Sequence, residues 1–592
     1  MIFKLLLLLH IYLAFAGWID PDTSPQSKIL ESFNDGRKYN LVFSDEFEIN
    51  DRLFKDGYDP KWTSINKNDY TNFALQYYND NLIRTKDGKL VISSIIEDIT
   101  YPIFDSKKMN VKETKNYQAG MLQGWNKFCF TGGIIEISAK LPGQYDIGGL
   151  WPAMWLLGNL ARATFVASSN NVWPWSYNKC NPTLQHRQAI SACNIVNHYD
   201  LLSKNGRGAP EVDILEAMPG KEELINTPIN KPYFSSSYQV APGFQDYRPD
   251  VATNPAPGMW YEDGITYSGD NDTSLNIFFY GMNLEGITPA QSYTADAISA
   301  NTNLYETHFN DFHTYRLEWI PGENGYLTWH LDGKFLYGIH ADAFNKTGAM
   351  IPEEPMYIIL NTAISSTWGF PTPCPEGCPC DCFDARKFEC ACAVPSRMSE
   401  NFPNEFLIEY VRVYQAEDDK NQIIGCSTKS HPTKKYIQGH VKNYMSDGDK
   451  VPLLPVQKGG AACTTDDQCG FGICSNKKKC ECNSNSTGPS CLAYNAYDDI
   501  IWDTDDSVDF HGFLIQSPII LFCIFLLITS FVVVAYKLYD RRNDLKYRSK
   551  YVQLNSSGIL NENIYSKIQL TGVSTREKNE YSSNYQYKSS NN

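Results

Sequence analysis

Three carboxylates stand within six residues at Glu211, Asp213 and Glu216, separated only by Val212, Ile214 and Leu215. The apolar residues between them require burial, which a solvated acidic edge does not offer. In a regular strand Glu211 and Asp213 share one face and Glu216 points to the other. One β-bulge between Asp213 and Glu216 returns Glu216 to the first face. The two glutamates are then about four strand steps apart, on the order of 13 Å between Cα atoms. Side chains leaning about 4 Å inward leave roughly 5 Å between carboxyls, the separation of a retaining rather than an inverting glycosidase. On this reading Glu211 attacks the anomeric carbon. Glu216, its pKa raised by neighbouring negative charge, protonates the leaving oxygen and then activates the acceptor, while Asp213 holds the nucleophile by sharing a proton. An acidic strand edge without chemistry is the competing reading of the motif alone.

Short β-type runs broken by turns surround this stretch between about Arg37 and Gln415. Residues 81–94 and 327–337 each read as a hairpin around an Asp-Gly turn, at Asp87-Gly88 and Asp332-Gly333, the dipeptide that matches strand twist. Residues 406–414 read as a late strand. Strands do not alternate with long amphipathic helices, so a parallel α/β sheet is excluded and an antiparallel all-β sandwich is expected.

Composition limits the partners. The 592 residues carry a formal charge of −15, which disfavours the phosphate-facing basic surface of a nucleic-acid binder. Aromatic residues make up 13%, and flat aromatic faces pack against pyranose rings. Trp151, Trp155, Trp173 and Trp175 are candidate sugar platforms, with about half of them expected in the sandwich core, Trp155 and Trp175 first. His313 reads equally as a core histidine or a substrate-binding residue of the cleft. No phosphate-binding glycine loop, nucleotide motif or Ser/His/Asp arrangement is present, so no organic cofactor is called for.

Residues 1–16 read as a signal peptide, with Lys4, a short apolar run and an Ala-Phe-Ala cleavage site. Residues 516–536 lie in a charge-free run long enough for one transmembrane helix, preceded by an acidic juxtamembrane segment (493–515) and followed by a basic tail (537–592) expected to be cytosolic and disordered. This is type I topology in the secretory pathway and at the plasma membrane or cell surface, with the main domain lumenal or extracellular. Asn271, Asn345 and Asn485 are sequons on that side.

Between leader and anchor the organisation is a sandwich at 17–425, a linker at 426–460 and a small cysteine-rich module at 461–492. The 16 cysteines of this region favour disulfides in an oxidising compartment. Cys180 and Cys193 read as a loop closure, and Cys129 and Cys426 remain to be paired. Cys374, Cys378, Cys380, Cys382, Cys390 and Cys392 fill a Pro-rich insertion. With no His among them they read as disulfides rather than a zinc site.

The module's spacing at Cys463, Cys469, Cys474, Cys480, Cys482 and Cys491 resembles an epidermal-growth-factor-like module. That resemblance implies pairing of first with third, second with fourth and fifth with sixth. A stapled spacer holding the head off the membrane is the expected role, with a protein-binding role as the alternative. In the main domain, residues 132–142, 148–158 and 41–47 resemble glycoside hydrolase family 16, in the same order around the E-x-D-x-x-E box. This implies a concanavalin-like β-jelly roll with an open cleft for β-glucans. A structural calcium ion occurs in some relatives of that fold and has no signature in the sequence.

Residues 158–163, 173–180, 206–217, 239–242, 354–360 and 432–437 look like the fungal β-glucan-synthesis-associated membrane proteins. That implies a part in β-1,6-glucan assembly, as glucosidase or transglycosidase. The chain departs from that pattern in its cleavable leader, small module, C-terminal anchor and cysteine-rich insertion. The expectation is a membrane-anchored retaining β-glucan hydrolase or transglycosylase acting on β-1,6- or β-1,3-linked glucan. A non-catalytic glucan-binding scaffold or chaperone is the alternative, and an adhesion receptor would not require the acid triad.

Overall fold

The strands that position the site are β1 (Lys38–Asp45), β2 (Ile83–Lys86), β3 (Lys89–Asp105), β4 (Gly133–Lys140), β5 (Trp151–Gly158), β6 (Glu211–Met218), β7 (Tyr233–Val240), β8 (Tyr293–Asn303), β9 (His313–Ile320), β10 (Tyr326–Leu331), β11 (Lys334–His340), β12 (Met356–Ala363) and β13 (Asn404–Gln415). The computed structural model describes residues 17–496 except 106–107, 194–197, 222–231, 245–247, 255, 257–260, 279 and 447, together with 537–539 and 541–542. The chain divides into two units, 1–503 with 583–592 and 504–582. In the second, the described residues are helical. The signal peptide and the candidate membrane span lie outside the described residues, among which no helix is long and apolar enough to cross a membrane.

Both Asp-Gly turns close hairpins. Asp87 and Gly88 have φ of 52° and 68° between β2 and β3, and Asp332 and Gly333 have φ of 50° and 81° between β10 and β11. Two positive φ values in succession match the right-handed twist of the flanking strands. Two antiparallel sheets face each other. The outer one runs β11-β10-β9-β4-β13-β3, with β1 on β13 and β2 on β3; the inner one runs β8-β7-β6-β5-β12.

The core between the sheets follows from alternation. Ile135, Ile137 and Ala139 of β4 and Met356, Ile358 and Leu360 of β12 enter it, while Tyr357 and Ile359 face a second cluster on the opposite side of the inner sheet. Each large side chain so buried contributes about 1.5–3 kcal/mol.

That second cluster corrects the reading of 426–460 as a linker. Tyr436, Ile437, Tyr444 and Leu453 pack into it with Leu157, Tyr357 and Ile359. Tyr444 stacks on Trp125 at 5.2 Å, and Arg162 Nη1 donates to the carbonyls of Tyr444 and Pro452 at 2.6 and 2.8 Å. A Cys129–Cys426 disulfide ties the segment's start to the sandwich. Apolar residues recur there at 436, 437, 444 and 453, and the adjacent face of the inner sheet would otherwise expose its own apolar side chains.

The 16 cysteines form eight disulfides. Besides Cys129–Cys426 and Cys180–Cys193, the insertion is knotted by Cys374–Cys380, Cys378–Cys392 and Cys382–Cys390. In the small module the pairs are Cys463–Cys474, Cys469–Cys480 and Cys482–Cys491. The module is not a detached spacer. A Cβ added to its Gly488 would lie 2.8 Å from Tyr58 O, and on either side of it Gln457 N donates to Gly57 O at 2.9 Å and Tyr494 Oη donates to Asp22 Oδ2 at 3.3 Å. It is packed onto the sandwich through the N-terminal segment and the loop at 56–58.

Candidate active site

β6 carries a bulge where the carboxylate spacing calls for one. Against β5, Trp155 pairs with Asp213 and Met154 with Leu215. Against β7, Ser237 pairs with Asp213 and Ser235 with Glu216. Ile214 is the extra residue, its carbonyl accepting from Ser236 Oγ at 3.0 Å. Ile214 and Leu215 therefore both enter the core with Val212 and Ala217. Glu211, Asp213 and Glu216 line one cleft of about 1040 Å³, counting space open to solvent.

Each carboxylate has its own donors. Trp173 Nε1 donates to Glu211 Oε2 at 2.5 Å, and Trp151 Nε1 donates to Glu216 Oε1 at 3.1 Å. Asp213, fully buried, accepts from Ser237 Oγ at 2.5 Å and from Gln239 Nε2 at 3.2 Å. Its backbone carbonyl accepts from Trp329 Nε1 of the outer sheet at 2.9 Å. Burial pushes all three acids up. Glu211 lies well above the usual range, from burial and then the charges of Asp213 and Glu216, opposed by the Trp173 bond. Glu216 is likewise well above it, from burial and then Asp213, opposed by the Trp151 bond. Asp213 reaches about 6, burial outweighing its hydrogen bonds from Ser237, Gln239 and Glu211. A hydrogen bond between Glu211 and Asp213 raises the first and lowers the second, so the two acids titrate together.

Trp151, Trp155 and Trp173 line the cleft. Trp155 Nε1 donates to Asn361 Oδ1 at 2.8 Å, and Asn361 Nδ2 donates to Tyr78 Oη at 3.3 Å. Trp175 requires correction. It is 4% exposed in the core, Nε1 on Tyr177 O at 3.0 Å, with Gly208 pressed so closely on it that a Cβ there would lie 2.3 Å from Trp175 Cβ. His313 also lies away from the cleft, on β9 of the outer sheet. Its Nδ1 is 2.6 Å from Asp332 Oδ2 and its ring stacks on His308 at 4.4 Å. Asn271, Asn345 and Asn485 are exposed.

The sequence reading missed Asp69, Tyr78 and Asn361 of the cleft wall and Trp368 beside it. Asn361 and Trp368 follow the apolar run of β12, and a Trp in a Ser/Thr/Gly loop after a buried strand was the available signal. Among the described residues, the groups whose donor atoms cluster closely enough to hold a metal ion are cysteines already paired in disulfides. The arrangement can hold a sugar between indole faces, attack it with one carboxylate and exchange a proton through another.

A family model described as beta-glucan synthesis-associated protein SKN1/KRE6/Sbg1 matches residues 8–373 and 392–449, leaving out the span that holds most of the disulfide-knotted insertion. Beta-glucan synthesis-associated protein KRE6 of Saccharomyces cerevisiae is 31% identical over 451 residues, covering 72% of this chain and 53% of its own. Beta-glucan synthesis-associated protein SKN1 of Candida albicans is 29% identical over 463 residues, covering 75% and 53%. The chain thus spans about half the length of the curated relatives it matches. Among solved structures, an endo-beta-1,3-glucanase from Pyrococcus furiosus aligns at 21% identity over 66% of this chain and 98% of its own, with a TM-score of 0.35. With the family model matching well over half of its residues, the chain belongs to the SKN1/KRE6/Sbg1 family of beta-glucan synthesis-associated proteins.

Proposed function

We propose that this protein is a retaining β-glucan hydrolase or transglycosylase acting in glucan assembly, anchored in the membrane by the segment at 516–536 with its cleft on the exported side. The observation that carries the reading is the Ile214 bulge, which presents Glu211 and Glu216 on one cleft face, each with an indole N–H on its carboxylate. Glu211 is the nucleophile: its carboxylate forms a bond to the anomeric carbon as the glycosidic C–O bond breaks. Glu216 gives its proton to the departing oxygen. In the second step Glu216 takes a proton from water or a sugar hydroxyl, whose oxygen replaces Glu211 at the anomeric carbon. Burial raises the Glu216 carboxyl, which favours the protonated form a general acid needs. Asp213, in contact with Glu211, takes the proton from Glu211 as the bond to carbon forms and returns it as that bond breaks.

Product sizing tests the reading and separates its branches. The full chain purified in detergent is incubated with β-1,3- and β-1,6-linked glucan oligosaccharides. Longer products mean transfer and shorter ones hydrolysis. Binding without turnover in both series overturns the catalytic reading in favour of a glucan-binding scaffold.

A further inference from the structure

We propose that Trp368 is a positioning residue for the acid/base: by stacking on Trp151 it holds the indole N–H of Trp151 on Glu216. This rests on the catalytic reading above, although its geometry stands apart from it. The two indoles are 4.4 Å apart between ring centroids and inclined by 9°. Trp368 lies off the cleft wall, with Nε1 donating at 3.0 Å to the carbonyl of Ala217, the residue after Glu216. One ring is thus fixed to the backbone of the strand that carries the acid and clamps the ring that touches the acid's side chain.

The loop bearing Trp368 is itself held. Ile364 and Phe370, on either side of it, are buried together with Leu150, Val394 and Met398. Phe370 meets Phe383 of the disulfide-knotted insertion edge-on at 5.9 Å, and Tyr117 Oη pins that insertion by donating to Phe383 O at 2.7 Å and accepting from Ala385 N at 2.9 Å. An insertion largely outside the family match is thereby packed against the loop that orients Trp151.

A half-buried indole on the cleft wall has rotamer freedom to lose, and a hydrogen bond to a charged group depends steeply on direction. A parallel ring over one face removes that freedom. The titratable groups around Glu216 are Asp213 and Glu211 on its own strand and Tyr233 on β7, while β5 contributes none beside Trp151. The Trp151 bond favours the ionised form of Glu216, so loosening it raises the Glu216 pKa.

The test compares the full chain in detergent with Trp368→Ala, Trp368→Phe, Trp151→Phe and the double variant Trp151→Phe/Trp368→Ala. Two readouts are taken: the basic limb of kcat/KM, and the Glu216 carboxyl titrated directly by 13C NMR, assigned by its loss in Glu216→Gln. In Trp368→Ala the limb and the carboxyl titration should both move up by about one pH unit. Turnover of oligosaccharides should fall about 10-fold, while an activated aryl glucoside, which needs no protonation, should lose less than about 2-fold. Trp368→Phe keeps a stacking face and should return the limb and the titration most of the way to their parent positions. In the double variant the Trp368 substitution should add nothing to the shift of Trp151→Phe. An unmoved Glu216 titration in folded Trp368→Ala, or a full extra shift in the double variant, overturns the proposal. Absence of turnover in the unsubstituted protein would instead remove the catalytic reading, and the carboxyl titration would still decide this one.

Discussion

The indole N–H of Trp173 donates to Oε2 of Glu211 at 2.5 Å, while the backbone carbonyl of Trp173 accepts from Tyr293 Oη at 2.7 Å. The loop residue that contacts Glu211 is therefore itself pinned to β8. The bond favours ionised Glu211 against burial and the charges of Asp213 and Glu216. Trp173→Phe removes the donor, so the Glu211 pKa rises and less of Glu211, the proposed nucleophile, is ionised at a given pH. The acidic limb of kcat/KM should move to higher pH, with a loss of about 10-fold in turnover at the former optimum. A pH–rate profile checks this, and an unmoved acidic limb would assign that limb to another group.

The roles proposed for the two glutamates are separable by stereochemistry. Glu211→Ala removes the covalent step, and azide entering the vacated space should restore turnover of an activated aryl glucoside with inverted α-azide product, because only one displacement occurs. In Glu216→Ala the glycosyl-enzyme still forms from the activated substrate and azide attacks it, giving retained β-azide. Proton NMR of the products reads the anomeric configuration. Inverted product from both variants would abolish the assigned roles, and the reverse pattern would exchange them.

Asp213 ties stability to pH. Its pKa, raised from 3.8 to about 6 mainly by burial, means that the folded state holds a proton more tightly than the unfolded one. The stability from that protonation is complete below about 3.8 and is lost as pH rises through about 6. Asp213→Asn stays neutral throughout and still accepts from Ser237. It should melt higher than the unsubstituted protein at about pH 8, with the difference shrinking towards about pH 4, while its turnover falls at every pH. Calorimetry at the two pH values is the measurement, and a lower melting temperature for Asp213→Asn at pH 8 would contradict it.

Cys129→Ser/Cys426→Ser opens a loop of 297 residues and frees the start of the segment packed against the inner sheet. The expected loss is about 3 kcal/mol, or a melting temperature lower by roughly 3 °C, with turnover at 25 °C little changed because neither cysteine lines the cleft. A melting temperature within about 1 °C of the parent would mean that the cluster around Ile437 and Tyr444 holds the segment unaided.

What the sequence determined alone is local. Val212, Ile214 and Leu215 between three acids require a strand with a wet face and a dry one, and only a bulge buries Ile214 and Leu215 while keeping Glu216 beside Asp213; the register of β6 shows that bulge. Asp-Gly at 87–88 and 332–333 set their hairpins for the same reason, since turn chemistry needs no distant partner. Tertiary structure decided whatever depends on which face meets which segment. Trp173 and Trp175 stand two residues apart in one motif, yet Trp173 reaches Glu211 and Trp175 enters the core, because the close approach of Gly208 makes room for it there. His313 sits on the outer sheet, a placement set by the pairing of β4 with β9. The segment at 426–453 is held by a sheet face far upstream in sequence, and Trp368 meets Trp151 across more than 200 residues. Such contacts come from chain closure around a shared core, which residue spacing does not encode.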